Sequence, residues 1–230
     1  MAVSESDPTQ QAFYEREWEH ITLGDMPGKS GWRTLVPAHD FVDFVEDLKK
    51  EVPTGRVLDL GCGGGRHAIL LAQNGYQVSA VDFAAAAITQ AKAGAEAAGV
   101  SSVIDFTVGD ALALPYAADY FDVVNDDGCL HHIDPRDWNT YVQGIARVLK
   151  SSGILRVKAF SKHCAYYEQH LKPDSSSQWL HLAGSGYTYF FSKDDIQELF
   201  ADRFEVIKLE ENLHTQTDDK RFFFGVFKKL

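Results

Sequence analysis

With 33 acidic against 22 basic side chains in 230 residues, a formal charge of −11, the chain can build one sizeable core and is too acidic for a nucleic-acid surface. Its Lys and Arg residues form no basic stripe, and no apolar run approaches the roughly 20 residues of a membrane span. The three cysteines, Cys62, Cys129 and Cys164, show no CxxC spacing, and the start Ser4-Glu-Ser-Asp-Pro8 is polar; together they predict reduced thiols in a cytoplasmic protein.

In chain order, Gln11–His20 reads as a helix with Phe13, Tyr14 and Trp18 close to one face. Two readings stand for it: a cover over a ligand, or a helix that only shields the sheet. A polar loop, Gly24 to Gly31, leads to a second helix from about Pro37, with Phe41, Val45 and Leu48 at i, i+4 and i+7. Pro37 and Pro53-Thr-Gly55 frame it.

Arg56–Leu60 then forms a short buried strand, turns through Gly61, Gly63, Gly64 and Gly65, and enters a helix with Ala68, Leu71 and Ala72 on its apolar side. Strand, glycine turn and helix N-terminus make a nucleotide-type cradle. About 20 residues beyond the first glycine a second strand, Gln77–Asp82, ends in a carboxylate placed for ribose hydroxyls. A dinucleotide site fits poorly: the sixth-position glycine is missing, and Asp59, inside the strand, would repel a pyrophosphate. A ligand with a cationic amino acid end would tolerate that carboxylate.

The pattern continues with a helix Ala84–Ala98, a strand Ile104–Val108 ending at Gly109-Asp110, and a strand Phe121–Asn125. A helix starts at Asp134-Pro135, and Ser151-Ser-Gly153 turns the chain into a fifth strand, Ile154–Phe160. This alternation predicts a parallel sheet with helices on both faces. Ser161–Phe191 breaks the rhythm; rich in aromatics and leaving the carboxyl end of strand five, it reads as a substrate lid. Ser192-Lys-Asp-Asp195 is a capping-box-like start for a short helix. Phe204–Glu210 and Arg221–Lys228, joined by a connection too short for a helical crossover, should pair antiparallel.

Val57-Leu-Asp-Leu-Gly-Cys-Gly-Gly-Gly65 resembles the first motif of the class I S-adenosylmethionine (SAM)-dependent methyltransferases, of the type 11/12 kind, and the likeness runs from about Gly55 to Phe160. It implies an α/β fold with a Rossmann-like, seven-stranded, mostly parallel sheet, helices on both faces and a C-terminal antiparallel hairpin. The whole of 1–230 is then one methyltransferase domain: cap helices over 1–50, a SAM-binding core over 51–160, the lid over 161–191, and a closing helix and hairpin over 192–230. On this resemblance the loop Gly61, Cys62, Gly63 and Gly65 holds the amino acid end of SAM together with Asp59, which acts indirectly, through water or by fixing the loop. Arg66 meets its carboxylate or lies in solvent. Asp82 takes the ribose, Phe83 packs on the adenine or joins the core, and Asp110, in Gly109-Asp110-Ala111, accepts from the adenine amino group. The backbone at Asn125 and Asp126 lies against the cofactor's amino group.

The stretch Asn125-Asp126-Asp127 is expected at the strand end as an acidic cluster that attracts a sulfonium. His131 and His132, being adjacent, cannot share a helix face; one faces the site as a base, and with Asp126 they form the expected catalytic set. Tyr14, Trp18, Asp127, Tyr166 and Tyr189 are the expected acceptor contacts. No metal is expected, since His131, His132 and Asp134 lack a further ligand at suitable spacing. Asp126-Asp-Gly-Cys-Leu-His-His132, Val157-Lys-Ala-Phe-Ser161 and Phe200-x-x-x-Phe204-Glu-Val206 are similar to small-molecule thiol methyltransferases and their tellurite-resistance relatives. Those carry Asp-Arg-Gly where this chain has Asp126-Asp127-Gly128, so a thiol, amine, hydroxyl or carboxylate acceptor stays open. The rival class is a SAM-binding regulatory domain that acts through a protein partner.

Overall fold

Val57 to Leu60 carry apolar side chains on both sides of the strand apart from Asp59, and such a segment is stable only when sheet neighbours and helices cover both faces. The computed structural model describes residues 8–20, 36–165, 179–182, 186–213 and 221–230. In chain order its elements are α1 (Pro8–Glu19), α2 (His39–Glu51), β1 (Arg56–Leu60), α3 (Arg66–Gln73), β2 (Gln77–Asp82), α4 (Ala85–Ala97), β3 (Ile104–Val108), β4 (Phe121–Asp127), α5 (Trp138–Val148) and β5 (Leu149–Phe160). A hairpin of β6 (Trp179–Leu182) and β7 (Gly186–Tyr189) follows, then α6 (Lys193–Phe200), β8 (Phe204–Leu213) and β9 (Arg221–Lys229).

The main sheet has the order β3-β2-β1-β4-β5-β9-β8, parallel from β3 to β5, with β9 antiparallel to both its neighbours. Strand order reverses between β1 and β4, which opens a crevice at their carboxyl ends. One face packs Phe41, Val45 and Leu48 of α2, Leu71 of α3 and Ala91 of α4 against Val57, Val78, Val123 and Ile154. The other packs Tyr141, Ile145 and Val148 of α5 and Phe200 of α6 against Leu58, Val124, Leu155 and Phe227.

Three expectations shift. Ser151-Ser-Gly153 does not separate α5 from β5; it lies inside β5, which pairs with β4 on both sides of a register shift. Gly153 permits this, because a Cβ there would stand 2.8 Å from Leu149 Cδ2 and 2.9 Å from the Lys150 carbonyl oxygen. The helix expected from Asp134 begins as a tight turn, Pro135–Asp137, because the Asp134 carboxylate accepts from the Arg136 N–H and sets the chain entering α5. The lid segment contains the β6–β7 hairpin, and its root is fixed: Phe191 N–H donates to the Phe160 carbonyl and Lys162 N–H to the Phe191 carbonyl. Tyr166 lies outside the described residues.

The expected capping box at α6 is present. Ser192 Oγ accepts from Asp195 N–H at 3.1 Å, and Asp195 Oδ2 accepts from Ser192 N–H at 2.6 Å. Ser192→Ala is expected to lower stability by about 1 kcal/mol, read as a shift of the urea midpoint at constant slope.

Candidate functional site

At the carboxyl end of β1 the chain turns through Gly61, Gly63 and Gly65, whose φ angles of 61°, 52° and 81° lie in the left-handed region. A side chain at Gly63 would also collide, since its Cβ would stand 2.8 Å from Trp18 Cζ2. Asp82, at the tip of β2, fixes this loop: its Oδ2 accepts from Gly63 N–H and its Oδ1 from Ala84 N–H, both at 2.9 Å. Asp82 therefore fixes the turn that leads into α4 and tethers the glycine loop, and each oxygen keeps a lone pair for a further donor. Burial pushes its carboxyl up to about 6. Gly109 N–H donates to the Asp82 carbonyl, which brings Asp110 and Ala111 beside β2; Asp110 Oδ1 accepts from Leu112 N–H at 2.8 Å.

The α1 helix is seated on this end of the sheet. Gln11 Nε2 donates to the Phe83 carbonyl, Glu15 Oε1 accepts from Ala86 N–H, and Gln90 Nε2 donates to the Trp18 carbonyl. Trp18 is buried with Ala84 and Ala87, and Phe83 packs against that cluster and against Tyr14. Tyr14 reaches across to the other side of the crevice, its hydroxyl 2.7 Å from His132 Nε2. His132 Nδ1 lies 3.5 Å from Thr188 Oγ1 of β7, so one imidazole touches both covering elements. His131 is buried against Phe160 and His132. Tyr189 packs on Trp138 and Phe191.

The acidic cluster expected at the end of β4 does not form. Strand alternation sends Asp126 to the α5 face and Asn125 and Asp127 to the opposite one. Asp126 is fully buried and its carboxylate is consumed by donors: Cys129 N–H at 2.6 Å, Leu130 N–H at 3.0 Å and Tyr141 O–H at 2.7 Å. It anchors the turn that carries the two histidines, and burial raises it to about 6. Asp127 is enclosed by Arg156 at 2.8 Å, Arg66 at 3.6 Å and Lys158 at 3.8 Å. Those cations, led by Lys158, hold it well below the usual carboxylate range despite its burial. Arg66 thus lies against Asp127 with little exposure. The Cys62 and Cys129 thiols are pushed up by burial, which leaves them poor nucleophiles.

Asp59 is different. It is buried, its Oδ1 accepts from Asn125 Nδ2 at 2.6 Å, and its Oδ2 has no hydrogen-bond partner among the described residues. Burial, reinforced by Asp127, pushes its carboxyl up to about 7 against the pull of Asn125, Arg156 and Arg66. A buried carboxylate oxygen without a donor, beside a left-handed glycine loop, fits a ligand whose cationic group supplies the hydrogen bond. Sequence reasoning missed Asp40, Arg156 and Lys158. The signal for them was Arg156 and Lys158 alternating with Leu155, Val157 and Ala159 in a central strand, since cations buried there require carboxylates opposite.

Asp59 also has a stability signature. Its folded value of about 7 lies above the ordinary 3.8, so the stability it adds is complete below pH 3.8 and is lost as pH rises through 7. Asp59→Asn, which cannot ionise, should gain about 2–3 kcal/mol relative to the parent protein between pH 5 and pH 8 in the absence of ligand. Urea unfolding at the two pH values measures the difference; an equal offset at both would mean that Asp59 is ionised throughout.

Among the described residues no helix is long and apolar enough to cross a membrane, and no group of three or more His, Cys, Asp or Glu is arranged to hold a metal ion. A family model described as a methyltransferase domain matches residues 57–153. An uncharacterized methyltransferase of Schizosaccharomyces pombe is 33% identical over 108 residues, 46% of this chain and 72% of that one. Ajmaline N-methyltransferase of Rauvolfia serpentina is 28% identical over 182 residues, 78% of this chain and 61% of that one. The chain spans between 45% and 63% of the length of four curated relatives, the Rauvolfia enzyme among them. In fold it is similar to Burkholderia thailandensis 1,6-didemethyltoxoflavin-N1-methyltransferase, a structure with bound 1,6-didemethyltoxoflavin and S-adenosylhomocysteine, at a TM-score of 0.69 and 20% identity over 100% of this chain and 93% of that one. The chain belongs to the class I SAM-dependent methyltransferases.

Proposed function

We propose that this protein transfers the methyl group of SAM to a small-molecule acceptor in the crevice between β1 and β4. The observation that carries the reading is the convergence of Asp59 Oδ2, the left-handed glycine loop and Asp82 on one side of the crevice, with the Tyr14–His132 pair on the other. Asp59 accepts from the ammonium of the cofactor's amino acid end, and Asp82 accepts from the ribose hydroxyls. Phe83, Asp110 and the Ala111 N–H line the adenine side. Bound SAM supplies a methyl group on a sulfonium with an intrinsically good leaving group.

The protein's work is then to align the acceptor, exclude water and receive a proton. The α1 helix and the β6–β7 hairpin do the excluding. His132 Nε2 takes the acceptor's proton, directly or through the Tyr14 hydroxyl to which it is joined, while buried His131 and Asp126 hold the turn in place. The small-molecule reading is supported by the relative named for ajmaline. The aromatic rings around Tyr14 offer a flat acceptor an apolar wall.

Calorimetric titration with SAM, S-adenosylhomocysteine and NAD tests the cofactor, and a mass-spectrometric screen of amines, hydroxyls, thiols and carboxylates tests the acceptor. Tight NAD binding with none of SAM would overturn the reading. Asp82→Ala should weaken SAM binding by about 1–3 kcal/mol, and it should lower thermal stability as well, since Gly63 and Ala84 lose their N–H acceptor. Tyr14→Phe and His132→Asn should each lower kcat by about 100-fold with S-adenosylhomocysteine affinity within a factor of three of the parent. Unchanged turnover in His132→Asn, once an acceptor is known, would assign the proton transfer elsewhere.

A further inference from the structure

Arg156 has no place in the scheme above, yet it is buried to 3% exposure in a strand paired on both edges. Burying a guanidinium is costly unless charges and hydrogen bonds compensate it. Two carboxylates do so: Nη1 donates to Asp127 Oδ2 at 2.8 Å and Nη2 to Asp40 Oδ2 at 2.6 Å, with the plane over the Phe41 and Phe44 rings at 4.9 and 5.4 Å. Nη1 makes a further contact, to Asn125 Oδ1 at 3.1 Å, which neutralisation does not require.

That contact has a directional consequence. A guanidinium only donates, so the Asn125 atom that faces Arg156 must be its carbonyl oxygen. Asn125 lies between Arg156 and Asp59, so its amide has one permitted orientation: carbonyl to Arg156, NH2 to Asp59 Oδ1. Asp59 Oδ1 is thereby taken, and Oδ2 is the oxygen left to a ligand. The chain continues to α2 through Asp40, which Lys158 also approaches at 3.4 Å. We propose that Arg156, acting through Asn125, is a positioning residue that fixes which oxygen of Asp59 faces the amino acid end of SAM. The proposal rests on the SAM reading above.

S-adenosylhomocysteine carries the amino acid end and methylthioadenosine lacks it, so the pair isolates the contact. Arg156→Lys keeps the charge beside Asp127 and Asp40 but loses the fork that reaches Asn125 at the same time. Asn125→Ala removes the relay and leaves Arg156 both of its carboxylates. Calorimetry on the full chain should show S-adenosylhomocysteine bound about tenfold more weakly by each folded variant, with methylthioadenosine within about twofold of the parent. Equal losses for both ligands would reduce Arg156 to a structural ion-pair partner, and retained S-adenosylhomocysteine affinity would overturn the relay. If Arg156→Lys does not fold, Asn125→Ala decides by itself. A parent protein that binds neither ligand would overturn the SAM reading instead.

Discussion

The structure depends on how charge is buried at the carboxyl ends of β1, β4 and β5. Strands that close a parallel sheet under helices on both faces leave no water for polar side chains, so each one present must find a partner in the protein or in a ligand. Asp127 finds cations, Asp126 finds two N–H groups and a tyrosine hydroxyl, and Asp82 finds two N–H groups. Asp59 alone among these carboxylates has one oxygen with no partner in the described residues. A buried carboxylate oxygen left unmet beside compensated charges is where a cationic ligand gains most, because binding removes a cost that the fold already carries.

The two sides of the crevice are built differently. On the side proposed for the cofactor, the Asp82 carboxylate and backbone hydrogen bonds tie the glycine loop and the start of α4 within adjoining strand–helix units. The side proposed for the acceptor is assembled from distant parts of the chain. Tyr14, His132 and Thr188 come from α1, the turn after β4 and β7, and are joined by two side-chain hydrogen bonds and an edge-on contact of the Tyr14 and His132 rings. Side-chain contacts between elements seated at the edge of the core open at lower cost than the ladder of a sheet does. On the function proposed for the crevice, that division would hold the methyl donor while the acceptor enters and leaves.

Much of this was legible in the residues. The alternation of apolar strands and helices pointed to parallel pairing, and the short Glu211–Lys220 connection to the antiparallel closing pair, since ten residues cannot make a helical crossover. Gly61, Gly63, Gly65 and Asp82 stood out because a left-handed loop and a strand-tip carboxylate have few other uses. Asp134 and Ser192 announced their turns through local hydrogen bonding that needs no tertiary partner.

What the sequence could not decide was which of several adjacent polar residues faces which side, and with whom. Asn125-Asp126-Asp127 looks like one acidic patch when written in a line; the pleat divides it, and the division makes Asp126 an anchor and Asp127 an ion-pair partner. Arg156 and Lys158 gain meaning only beside Asp40, which lies more than 100 positions earlier in the chain, and such pairings carry no local signal. The same holds for Tyr14 and His132. Composition, spacing and turn chemistry determined the fold and the left-handed glycine loop after β1, because those are local and periodic properties. Tertiary structure decided the partners of the charges, because a buried charge is compensated by whatever the topology sets against it.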